Sequence, residues 1–160
     1  MPDKEIYPKT QHEIIDPSEC AEQAIAALVT AGALVAIADR HVDAIEREAV
    51  IRFINDRRLV PTIAGPRIAN LFDERARRLE QPDFANVTIE ALRPVSALSL
   101  SADVIEIAER VAAADRHMHS YELQAIKLIR LITMSLPKSK VMTSSRGSSS
   151  YGIIASDRES

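Results

Sequence analysis

The chain has 160 residues, a length that suits one domain and buries roughly 70% of the unfolded surface on folding. Hydrophobic residues make up 46% and charged residues 27%, with no Trp, so a core has to be built from Ala, Ile, Leu and Val, a composition that favours closely packed helices. A net charge of -3 and a pI near 5.8 leave the whole molecule without the electrostatic footprint of a nucleic-acid or anionic-membrane binder.

Residues 1–15 hold two prolines and no sustained period, and read as an irregular lead. The opening "MPDKEIYPKT" lacks a secretory pattern, and the lone Cys20 excludes an internal disulfide, so a reducing cytoplasm is the expected compartment. The helical part begins at "DPSECAEQ". Asp16 caps, Pro17 fits the first helical position, and Glu19 lies three residues after the cap. The apolar positions Ala24, Leu28, Ala31, Leu34, Val35 and Ala38 then keep helical spacing, and Gly32 permits a close neighbour. The longest apolar run, "ALVTAGALVAIA" at 27–38, is shorter than the ~20 residues a bilayer requires, so no transmembrane segment is expected.

A second helix is expected over 43–58, opened by the spacing Asp43 to Glu46, with Ile45, Ala49, Val50, Phe53 and Ile54 as its apolar face. Pro61, Gly65 and Pro66 punctuate the chain before "RIANLFDERARRLE", an amphipathic helix carrying Ile68, Leu71, Phe72, Arg75 and Leu79. With Arg57, Arg58 and Arg67 its arginines form a local basic cluster. Interleaved acids and missing aromatics make that cluster a solvated face or a contact for an acidic protein. A shorter helix is expected over 84–92, a strongly periodic one, "ADVIEIAERVAAAD", opens at Ser101, and a last one covers 120–135. From Pro137 the chain is Ser-rich without helical period, which predicts a flexible tail whose short "YGII" is able to dock.

The stretch "ADRHVDAIERE" at 38–48 returns 76 positions later as "ADRHMHSYELQ" at 114–124. The match extends on both sides, from Val35/Val111 and Ala36/Ala112 to Ala49/Ala125, with apolar matches at Val42/Met118, Ile45/Tyr121 and Val50/Ile126. Two similar helical hairpins follow, each with acidic and His residues at its turn. Asp39 and Asp115 fall at helix C-termini, where the macrodipole disfavours an anion. Arg40 and Arg116, helix caps or turn hydrogen bonds are structural ways to compensate.

The alternative is a cation site. Asp39, Asp43 and Glu46 offer the hard oxygens that Ca²⁺ or Mg²⁺ prefers, while Asp115, Glu122, His117 and His119 offer a mixture suited to Zn²⁺ or Mn²⁺. The spacing is not that of an EF-hand. Nucleophilic chemistry lacks a Gly-x-Ser-x-Gly elbow, a metal phosphohydrolase would show a His-Asp dipeptide, and only four glycines are present to cradle phosphate. A metal-dependent hydrolase therefore ranks well below a non-enzymatic module holding a divalent cation and below a protein-interaction adaptor whose carboxylates are structural.

"ALVAIADRHVDAIEREAVIRFI" and "ERVAAADRHMHSYELQAIKLIRLI" resemble the TerB-like tellurite-resistance family, itself related to the N-terminal domain of DjlA-type co-chaperones. That family pairs an Ala-Asp dipeptide ending a helix with a Glu early in the next, twice over. The resemblance covers roughly 20–136 and implies an all-α bundle of about six helices over 16–136. It places the acidic pairs on Asp39 with Glu46 and on Asp115 with Glu122, and implies a non-enzymatic role in tellurite and chemical-stress resistance. Protein partners in a stress-response complex, membrane-associated or homo-oligomeric, and a divalent cation come with it as expectations. The family usually has Gly after the Asp, where this chain has Arg40 and Arg116. A cation there is expected to weaken metal binding by pairing with the Asp.

Overall fold

A computed structural model describes residues 16–58 and 65–136. The lead, the segment 59–64 and the Ser-rich tail with its "YGII" lie outside the described residues. The elements are α1 (Pro17–Ala36), α2 (Ala44–Arg57), α3 (Gly65–Leu79), α4 (Phe84–Leu92), a 3₁₀ turn (Arg93–Val95), α5 (Ser101–Ala112) and α6 (Ser120–Ser135). There is no strand among the described residues. The expected all-α bundle of six helices is what the chain forms. Two bounds differ from the spacing: α1 ends at Ala36 and not near residue 38, and Gly65 and Pro66, read as punctuation, form the first turn of α3, where a proline's missing N–H costs nothing.

α1 is the axis of the bundle and packs against each of the other five helices, most extensively α3 and α5. Asp16 accepts the Ser18 N–H at 3.0 Å and caps its start. From Ala27 to Ala36 every residue is buried, so the helix is apolar all round rather than striped. Its length corrects the reading of a short apolar run. Starting at Pro17, it is long and apolar enough to cross a membrane by composition, yet 67% of the window that passes that test is buried against the rest of the bundle. Gly32 allows this closeness. A Cβ there would stand 2.5 Å from Val50 Cγ2, so α2 crosses α1 at a distance no other residue permits.

The other helices are amphipathic around this axis. α3 buries Ile68, Ala69, Phe72, Ala76 and Leu79 and turns Arg67, Arg77 and Arg78 outward, while Arg75 is half-buried. Phe53 of α2 is fully buried between two guanidinium groups, Arg57 and Arg110, each 5.2 Å from its ring centre. Glu106 pairs with both arginines and Asp103 lies 3.4 Å from Arg57, which ties α2 to α5 and so joins the two repeated hairpins.

Candidate functional site

The two repeated turns leave their helices by the same route. Ile37 donates to the Ala33 carbonyl at 3.0 Å and Ala113 donates to that of Glu109 at 3.1 Å. Ala38 then bonds back to Val35 and Ala114 to Val111, and the chain reverses through Arg40 at φ 68° and Arg116 at φ 66°. Both arginines hold the left-handed conformation natural to glycine, a strain of about 1 kcal/mol or more each.

Each Asp closes its turn through its carboxylate. Asp39 Oδ1 accepts the His41 N–H at 2.8 Å and Asp115 Oδ1 accepts the His117 N–H at the same distance. Neither Arg40 nor Arg116 forms an ion pair among the described residues, so the expected Arg–Asp compensation is not used. Backbone N–H groups satisfy these acids instead.

Glu46 and Glu122 reach back to the starts of α2 and α6. Glu46 Oε2 accepts the Asp43 N–H at 2.9 Å and Glu122 Oε2 accepts the His119 N–H at 2.6 Å. Both are almost wholly buried, at 4% and 2% exposure. Burial, opposed by the Asp43 N–H and reinforced by the carboxylates of Asp39, Glu122 and Asp43, pushes the Glu46 carboxyl up to about 7. Burial also pushes Glu122 up; the His119 N–H opposes it, and Asp115 and Asp39 add to it. Asp39 acts on Glu122, and Glu122 on Glu46, across the repeat, so the fold brings the two turns within electrostatic reach of each other.

The remaining predicted residues are peripheral. Asp43 pairs with the exposed His41 ring at 3.2 Å. The His117 ring lies 3.1 Å from the carbonyl of Asp115, and His119 stands at the N-cap of α6. Among the described residues no three His, Cys, Asp or Glu side chains gather closely enough to hold a metal ion. The seven candidates thus divide into two capped turns and do not form one cage.

Exposure at the turns escaped the periodicity argument. Ile45, placed by spacing on the apolar face of α2, is 58% exposed, because the first turn of that helix presents Glu46 and not Ile45 to the core. Its counterpart Tyr121 is exposed as well, as are Val42 and Met118. The available clue was that both pairs recur as apolar in the repeat.

The profile of the family described as tellurite resistance protein TerB matches residues 23–136. The chain belongs to the TerB family. The matched stretch runs from the second turn of α1 to the end of α6 and so contains both turns of the TerB hairpins. No curated protein and no solved structure matches the chain.

Proposed function

We propose that this TerB-family chain is a non-catalytic interaction module of tellurite-resistance type, acting in the cytoplasm, whose turn carboxylates are structural. The observation that carries the reading is how those carboxylates are used: Asp39, Asp115, Glu46 and Glu122 each accept a backbone N–H of their own turn or cap. Apolar Val42, Ile45, Met118 and Tyr121 stay exposed beside them in both copies. Exposed apolar side chains repeated at two turns suit a protein partner, consistent with a role inside a stress-response complex. Ile45→Ser with Tyr121→Ser should abolish the tellurite tolerance that the chain confers on cells while leaving thermal unfolding unchanged. Undiminished tolerance in that variant would remove the interaction reading.

A second reading is favoured by one observation. Burial drives Glu46 toward neutrality and three neighbouring carboxylates add to it, and among the described residues no cation pairs with any of the four apart from the exposed His41 on Asp43. A divalent cation drawn by Asp39, Glu46 and Glu122 would discharge that repulsion once side chains closed around it. The structural reading predicts no shift in Tm when chelator-treated protein is titrated at pH 8 with millimolar Ca²⁺, Mg²⁺, Zn²⁺ or Mn²⁺. A saturable rise with one ion, lost in the Asp39→Asn, Asp115→Asn variant, would establish the cation instead.

A further inference from the structure

Away from the turns, α1 and α3 run side by side and leave between them a groove of about 350 Å³. Its apolar surface comes from Ile25, Ala26 and Val29 of α1 and Leu71 of α3. Ligand pockets run from roughly 300 to 1,000 Å³, so this one suits a small or slender occupant.

The groove is lined by two carboxylates and two guanidinium groups, and they are not all paired. Glu22 is paired with Arg67 at 3.3 Å, and Glu19 accepts from Gln23. Arg75 has no carboxylate within ion-pair distance among the described residues. Burial holds its guanidinium below the usual arginine range, and Arg78 one turn on adds to that, with only Glu74 opposing. A half-buried cation at the edge of an apolar groove lacks an anion, and an apolar floor lacks a hydrocarbon. One molecule meets both needs.

We propose that the α1/α3 groove binds a medium-chain fatty carboxylate, its hydrocarbon against Ile25, Ala26, Val29 and Leu71 and its carboxylate on Arg75. Arg75 offers a planar pair of N–H donors that matches a carboxylate, and the pairing is stronger where water is partly excluded. The long hydrocarbon of a membrane lipid exceeds the groove, which is why a free acid of moderate length is the occupant. This site is independent of the turns and stands whichever of their two readings holds.

The test titrates the full chain with decanoate and, separately, with decanol, both below the concentrations at which they aggregate, followed by calorimetry. Decanoate should bind more tightly than decanol. Arg75→Gln should weaken decanoate about tenfold, the scale of one partly screened charge-assisted contact, and leave decanol unchanged. Ala26→Phe, which fills the groove at a half-buried position, should abolish both. Equal binding of the two head groups, or decanoate affinity that survives Arg75→Gln, overturns the assignment of the head group. Absence of any binding, as when a segment of the chain itself fills the groove, overturns the site.

Discussion

The two hairpins share a turn but differ in what they ask of it. In the first, α1 is the buried axis of the molecule, and Glu46 answers to Asp39, Asp43 and Glu122. In the second, α5 is a shorter amphipathic helix, and His119 stands where the first has Asp43 and draws the Glu122 carboxyl downward. The second copy thus dilutes the negative charge that the first concentrates. Identical backbone hydrogen bonds can carry different electrostatics, because the bonds are fixed by the chain path and the charges by which side chains surround it.

The largest expected effect follows from this asymmetry. Glu46 has its folded value raised to about 7 from an ordinary 4.5, so between those pH values the native state holds a proton that the unfolded chain has lost. Stability from this group is complete below about 4.5 and declines as pH rises through about 7. Glu46→Gln keeps an acceptor for the Asp43 N–H and removes the charge. It should stabilise the protein at pH 8 by roughly 1 to 3 kcal/mol and flatten the decline, as read by urea unfolding at pH 5, 6.5 and 8. Glu122→Gln should do the same to a smaller degree. A larger response from Glu122 would invert the comparison.

Packing gives the next contrast. Gly32 of α1 occupies the repeat position of Ala108 in α5, and only the first copy brings its partner helix so close that a Cβ meets Val50 Cγ2 at 2.5 Å. Gly32→Ala should therefore cost about 1 to 3 kcal/mol from overpacking even after its gain in helix propensity. Thermal unfolding should show that loss, and adding Val50→Ala should recover part of it. A stabilised Gly32→Ala would mean α2 is free to move away.

At the turns themselves the copies should behave alike. Asp39→Ala and Asp115→Ala each remove the acceptor for a histidine N–H and should cost about 1 kcal/mol, whereas the Asn variants keep an acceptor and should be nearly neutral. The smallest effect belongs to the left-handed arginines. Arg40→Gly and Arg116→Gly relieve backbone strain but loosen the unfolded chain, so each should fall between neutral and about 1 kcal/mol stabilising. Arg40→Val should be clearly worse, since a β-branched residue resists that conformation.

Local features were legible in advance for specific reasons. The Asp16 cap, the spacing from Asp43 to Glu46 and the helix at 84–92 are decided by neighbours within a few residues, and the structure has them where spacing puts them. Ile45 misled because periodicity says which side of a helix is apolar, while the first turn of α2 presents Glu46 to the core. Arg40 misled because its charge suggested a partner for Asp39, while the turn needed a conformation and the Asp needed an N–H. The groove at Arg75 had no trace in spacing, since its walls come from helices far apart in sequence.

The amino-acid sequence alone determined the helices, their caps, the duplicated turn and the family, because each rests on patterns of a few residues or on the repeat itself. The tertiary structure decided that the turns approach one another, that Glu46 is driven toward neutrality, and that α1 is buried mostly against the rest of the bundle. Burial and the meeting of distant charges depend on how helices pack around a shared axis, and no local pattern encodes that distance.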